Sequence, residues 1–424
     1  MKKRIILASL FLFLIVFLAA CFNDAGNGSS VSSSDSSVAS SSSASSEASS
    51  TVSSQASSNP SSSSEVKTTN ETKTIRMMAA GDNLIHRSLY VQAEAAAAAK
   101  GIQGFDFVYQ YAEIADIIPK AEIAYLNQET VLASKIYPLS AYPMFNSPVE
   151  LGQYMVDIGF DVFNHATNHV LDMWDDGVIA TLDFWDTIPE ATPIGVYRND
   201  ADLNHIRVVE RNGIKVSFVA FTYATNGLFL PDDSPIRLIY IDEVELIKSQ
   251  IEKARAISDV VCVSAHWGNE DSHIVTDEQR SLAQDMVSWG ADIIIGGHPH
   301  VLQPIEFIDK PDGTKALVWY SFGNLISAQD YPDNLIGGIL DFNITKSYGS
   351  NGTARITVDN VNFIPTVTQY NSPYANVHIV RFENYTPQMA AEHGCNVNAP
   401  MTYEYVQQVL NDVIGPEFMK PYTP

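Results

Sequence analysis

Hydrophobic and polar positions follow two alternating patterns along most of the chain. Short runs of consecutive apolar residues, the mark of strands covered on both faces, alternate with longer stretches whose apolar positions line one face of a helix. The runs Ile75–Ala80, Ala121–Leu126, Phe160–Phe163, Val216–Phe221, Asp259–Ser264, Ile293–Ile295 and Ala316–Tyr320 predict strands. Between them Leu84–Lys100, Val149–Ile158, Met173–Ile188, Val244–Ile257 and Asp277–Trp289 predict helices, the first strengthened by the alanine run Ala95–Ala99. Strands and helices alternating at this spacing predict an α/β layered fold. From Gly338 the pattern changes to strands, Ile339–Ile344 and Arg355–Pro365, then a polar loop and a terminal helix, Tyr403–Val413. These read as hairpins closing one side of the sheet with a helix packed on them, and no short solenoid repeat is visible.

The start of the chain reads differently. Lys2-Lys3-Arg4 precede an apolar run from Ile5 to Ala20, and Leu18-Ala19-Ala20 leads into Cys21. This resembles a bacterial lipoprotein signal peptide, with Cys21 lipidated as the first mature residue; the run is short for a membrane span. Residues 27–64 are nearly all serine, a composition that buries too little apolar surface to offset the entropy of ordering it. The expected organisation is a signal peptide at 1–20, a lipidated cysteine and disordered serine-rich tether at 21–73, a globular domain at 74–345 and a packed extension at 346–424. Such a protein is expected outside the cytoplasm, as a lipoprotein of the cell membrane.

Of the 424 residues 46% are hydrophobic, enough for a sizeable core, and the formal charge is −24. That acidity argues against a nucleic-acid partner. It also repels an anionic substrate unless cations sit locally, a conflict that bound divalent metal resolves. The three cysteines are too few for a disulfide framework: besides Cys21, Cys262 lies in an apolar run as an inert core thiol and Cys395 in a polar loop.

Polar clusters recur just after the strand candidates: Asp82 with His86, Asn127 with Glu129, Asn164-His165 with Asn168-His169, His266 with Glu270, and His298 with His300. Loops beyond the carboxyl ends of strands in an open α/β sheet share one crevice, so these clusters are expected to converge. Oxygen and nitrogen donors without a thiolate suit Mn²⁺, Zn²⁺, Fe or Mg²⁺ in a hydrolytic site. A carboxylate-bridged pair of ions needs about seven or eight ligands, which this set can supply. Extended chain puts Asn127 and Glu129 on one face and both imidazoles of His298-Pro299-His300 on one side, with Pro299 stiffening the step. Asp82 also suits a cap for the helix that follows. An amide beside an imidazole, Asn168-His169, suits metal binding next to acid catalysis.

Gly81-Asp82-Asn83-Leu84-Ile85-His86, Leu126-Asn127-Gln128-Glu129, Asn164-His165-Ala166-Thr167-Asn168-His169 with Asp172, His266-Trp267-Gly268-Asn269-Glu270, Gly297-His298-Pro299-His300-Val301-Leu302-Gln303 and Ser321-Phe322-Gly323-Asn324 occur in this order. Together, over Thr74 to Ile326, they resemble the bacterial capsule-synthesis CapA/PgsA family. That family is associated with poly-γ-glutamate capsule production and grouped with the calcineurin-like metallophosphatases. The resemblance implies a four-layer sandwich, two mixed β-sheets packed face to face with helices outside. It implies two divalent ions held by Asp82, His86, Glu129, Asn168, His266, His298 and His300, with Glu129 in the place of the usual bridging aspartate. Asp82, His169 and His266 would take part in catalysis, His169 as general acid. Asn127, His165, Asp172, Glu270 and Asn324 would support these groups. The function implied is a membrane-anchored, metal-dependent phosphoesterase-type hydrolase in capsule synthesis or export, partnered by membrane proteins of a capsule synthase or by an anionic polymer. The alternatives are a non-catalytic assembly or export scaffold on the same fold and a metal-dependent amidohydrolase barrel, in which the His-x-His pair usually comes early rather than late.

Overall fold

The computed structural model describes residues 71–349 and 352–420. The expected signal peptide, Cys21 and the serine-rich tether up to residue 70 lie outside the described residues. Fourteen strands are present: β1 (Lys73–Asn83), β2 (Ile123–Asn127), β3 (Val162–Asn164), β4 (Thr192–Ile194), β5 (Arg207–Arg211), β6 (Ile214–Thr222), β7 (Val260–His266), β8 (Ile293–Gly297), β9 (Ile305–Asp309), β10 (Lys315–Trp319), β11 (Asn324–Ile326), β12 (Ile336–Tyr348), β13 (Ala354–Asn371) and β14 (Ala375–Arg381) among the described residues. The helices are α1 (Arg87–Ala99), α2 (Val108–Tyr111), α3 (Val149–Asp157), α4 (Trp174–Trp185), α5 (Asp200–Leu203), α6 (Val244–Ile257), α7 (Asp277–Trp289), α8 (Pro387–Ala391) and α9 (Tyr403–Val413).

The strands form two mixed sheets. One has the order β14-β13-β12-β1-β2-β3-β4 with β11 also on β1; the other runs β5-β6-β7-β8-β10-β9. The layering follows from the two-residue period of extended chain. In β8, Ile293 and Ile295 enter the large core shared with the first sheet, while Ile294 joins a separate core with Ile247 and Ile251 of α6 and Ala283 and Met286 of α7. β7 repeats this, with Val260 and Cys262 facing one way and Val261 and Val263 the other. The first sheet is covered by Leu89 of α1, Met155 of α3 and Trp185 of α4. Helices outside two facing sheets give the expected four-layer sandwich.

Local signals set the ends of elements. Thr276 accepts from the Gln279 N–H while the Gln279 side chain returns to the Thr276 N–H, a capping box that starts α7. Gly290, at φ 119, stops it in a conformation that a side chain would strain. The first helix begins only at Arg87, with His86 at its N-cap, so Asp82 is not a cap; it lies inside β1. The short strands β4, β5, β9, β11 and β14 were not anticipated. The expected boundary at residue 345 falls within β12, where Thr345 and Lys346 still pair with Thr74 and Lys73 of β1. The hairpins are therefore part of the first sheet, with Val406 and Leu410 of α9 packed into its core. Among the described residues no helix is long and apolar enough to cross a membrane.

Candidate metal centre

Strand register brings the site together. In the first sheet Asp82 stands opposite Asn127 and Asn324, and Asn127 opposite Asn164; in the second, His266 stands opposite Gly297. An amide relay crosses the first sheet: Asn164 Nδ2 donates to Asn127 Oδ1 and Asn127 Nδ2 to Asp82 Oδ1, each at 2.6 Å. It fixes the Asp82 carboxylate with Oδ2 3.0 Å from His300 Nδ1. Asn324 Oδ1 lies 3.0 Å from the same nitrogen.

The histidine turn differs from the expected extended step. β8 ends at Gly297, and both His298 (φ 98) and His300 (φ 58) are left-handed. Such backbone costs about 1–3 kcal/mol at a residue with a side chain and persists only where the surroundings enforce it. Here Trp267 N–H donates to Gly297 O at 3.0 Å and Asp271 N–H to Pro299 O at 2.9 Å. Gly296 is needed in the strand itself, since a Cβ there would lie 2.0 Å from Tyr320 O.

Glu129, 1% exposed, occupies the middle. Its Oε1 is 3.7 Å from His266 Nε2 and 3.8 Å from His300 Nε2, and neither of its oxygens has a hydrogen-bond partner. His266 Nε2 also lies 2.9 Å from Asn168 Oδ1. The Nδ1 atoms of His266 and His298 are buried and unpartnered as well. Ligand atoms of Asp82, Glu129 and His300 lie within 4.8 Å of one another, as do those of Glu270, His298 and His300.

Burial, with the nearby Asp82 charge, holds the Glu129 carboxyl well above the usual carboxylate range. Burial lowers His266 well below 6.5, with His298 and His300 adding to the effect, and lowers His298 to about 3. His300 is the exception: burial opposes its charge, but Glu129 and Asp82 outweigh it and raise the imidazole to about 10. Neutral imidazoles such as His266 and His298 keep a lone pair free, as ligation requires.

Other expected site residues lie at varying distances from this centre. His169 Nδ1 is 2.8 Å from Asp172 Oδ2, which also accepts the Phe145 N–H at 2.6 Å, and Phe145 packs edge-on against the imidazole. His165 is tied to α4 instead, its Nε2 accepting from Trp185 Nε1 at 2.8 Å. His86 packs against Phe145, its Nδ1 3.2 Å from the Ala328 N–H, and belongs to neither ligand group. Two contributors were missed in the sequence. The Tyr223 ring lies 4.1 Å from that of His298, and Asn226 Oδ1 accepts from Asn168 Nδ2 at 3.2 Å, orienting the amide oxygen towards His266. Both follow β6, so the same strand-then-polar pattern that marked the other clusters marks Tyr223-Ala224-Thr225-Asn226.

A match to the family described as bacterial capsule synthesis protein PGA_cap runs over residues 76–329, which contain the whole cluster. The chain belongs to this family. It is 32% identical over 203 residues to the PGA biosynthesis protein CapA of Bacillus subtilis (strain 168), covering 48% of this chain and 50% of that protein. It is also 32% identical over 224 residues to the capsule biosynthesis protein CapA of Bacillus anthracis, covering 51% and 50%. The chain thus spans about half the length of the curated relatives it matches. Among solved structures it is similar to the NAD nucleotidase (NadN) of Haemophilus influenzae, with a TM-score of 0.42 and 11% identity over 81% of this chain and 60% of that one. The family is the one its motifs suggested, and of the motif residues Asp82, His266 and His300 lie beside Glu129.

Proposed function

We propose that the chain acts outside the cytoplasmic membrane, held by lipid at Cys21, as a divalent-metal-dependent phosphoesterase-type hydrolase in the synthesis or export of capsule polymer, alongside membrane proteins of a capsule synthase. The observation that carries this reading is Glu129, a buried carboxylate with both oxygens unpaired between two imidazoles. Burying a carboxylate without partners is costly, and groups left unpaired in this way fit a site built to hold something else. The donor set, oxygen and nitrogen without thiolate, fits a hard or borderline divalent ion.

Asp82, Glu129 and His300 would hold one cation, and Asn168, His266 and His298, with Glu129, a second. Divalent ions there would supply charge compensation and Lewis-acid polarisation of a phosphoryl oxygen. The remaining chemistry belongs to side chains. Asp172 fixes the His169 ring through Nδ1, leaving Nε2 to protonate the leaving oxygen. The buried rings of His266 and His298 keep water from the crevice in which negative charge develops, which strengthens each interaction there. Asn226 holds the Asn168 amide in register for this work.

The test is to measure the metal content of the purified full-length chain and assay phosphodiesters and phosphomonoesters with Mn²⁺, in wild type and in H169A and H298A variants. The reading expects bound metal and hydrolysis that both substitutions abolish. A well-folded protein without metal contradicts it, and full capsule output from cells carrying both substitutions supports the assembly scaffold instead.

A further inference from the structure

The second of the two ligand groups joins His298 and His300 to Glu270, not to His86. Glu270 sits at the exposed mouth of the crevice, on the loop that follows His266 at the end of β7. Its neighbour Asp271 donates its N–H to Pro299 O at 2.9 Å, so backbone holds this loop against the histidine turn. On the inner side His298 is 3% exposed and its Nδ1 has no partner, an expensive state for a buried nitrogen unless a ligand outside the chain engages the ring.

His86 is occupied. Its Nδ1 lies 3.2 Å from both the Ala328 nitrogen and Leu84 O. The Ala328 N–H can only donate, so it takes the Nδ1 lone pair. A neutral imidazole accepting at Nδ1 carries its proton on Nε2, and neither nitrogen is then free to ligate. His86 packs edge-on against Phe145 and lies outside both ligand groups.

We propose that Glu270 completes the second divalent-cation site, together with His298 and the His266–Asn168 pair, and that His86 is not a ligand. This rests on the metal-dependent reading above. Charge supports it: Asp82, Glu129 and Glu270 against two dications leave a single net positive charge, a balance in which buried ions are nearly compensated yet an anionic substrate is still attracted.

The test uses the full-length chain as wild type, E270Q and H86Q, stripped with chelator and titrated with Mn²⁺ by equilibrium dialysis. Electron paramagnetic resonance reports whether neighbouring ions are spin-coupled. Wild type and H86Q are expected to bind two ions with a coupled spectrum. E270Q, altered at an exposed position that leaves folding intact, is expected to bind one of them at least about tenfold more weakly and to lose the coupling. If wild type binds two ions and E270Q keeps both, or H86Q loses one, the assignment is overturned while the metal-dependent reading stands. A wild type that binds one ion also overturns the assignment, and one that binds none overturns the reading beneath it.

Discussion

Replacing Glu129 by glutamine separates what this side chain costs the fold from what it does for the site. Its oxygens are buried and unpaired, 3.7 Å from an imidazole that burial keeps neutral and 3.8 Å from His300, which is already bonded to Asp82. An unsatisfied buried polar group costs about 1–3 kcal/mol, and more when charged. An amide of the same shape avoids the charged part of that cost. Metal-free E129Q is therefore expected to be more stable than metal-free wild type by only about 1 kcal/mol, because the amide is itself left unpaired and gives up the attraction of His300. At roughly 2–4 °C per kcal/mol for a domain of this general size, thermal unfolding followed by circular dichroism in chelator resolves the difference. Mn²⁺ is expected to reverse the order, since free ligand at 100 times its dissociation constant stabilises the native state by about 2.7 kcal/mol and E129Q forfeits most of that gain. A metal-free E129Q less stable than wild type, or an equal response of both proteins to Mn²⁺, refutes the reasoning.

Two further substitutions test other parts of the structure. D172N removes the carboxylate that orients His169 and is expected to lower kcat by about 10²–10⁴ with Mn²⁺ content unchanged, as steady-state kinetics and elemental analysis would show; an unaltered kcat removes His169 from the chemistry. His393 is buried in the C-terminal extension, where Nε2 donates to Thr368 O at 2.8 Å and Nδ1 accepts the Cys395 N–H at 3.1 Å. Burial lowers it from 6.5 to about 4, so the unfolded chain takes up a proton that the folded one refuses. The stability it supports is present above pH 6.5 and is lost as pH falls towards about 4, amounting to roughly 3 kcal/mol across that window. H393Q is expected to close its gap to wild type over this range in urea titrations, and parallel pH profiles would count against this account.

Much of the architecture was legible because apolar runs and helical periodicity are strong where elements are long and covered on both faces. The helices Val244–Ile257, Asp277–Trp289 and Tyr403–Val413 have the expected bounds. Strands of three residues such as β4 and β11, and edge strands such as β5 and β9, carry too few apolar positions to show a period. In the site, strand-end position was readable and side-chain direction was not. Asp82 looked like a cap and a ligand at once, and only the register with Asn127 shows it turned into the crevice. The histidines looked like alternating strand positions, yet backbone hydrogen bonds from Trp267 and Asp271 hold them in left-handed turns that few residues with a side chain adopt. His165 and His86 carry the same residue type as the central imidazoles, and each is engaged by a neighbour distant in sequence, Trp185 and Ala328.

The central claim is that the unpaired oxygens of Glu129 face bound cation. Crystals of the full-length chain grown with Mn²⁺ and measured for anomalous scattering test it most directly. The account requires a peak in direct contact with Glu129, shared with His300 and Asp82, and a second beside His266 and Asn168. A map with no peak at Glu129, or with peaks only at surface carboxylates, contradicts it.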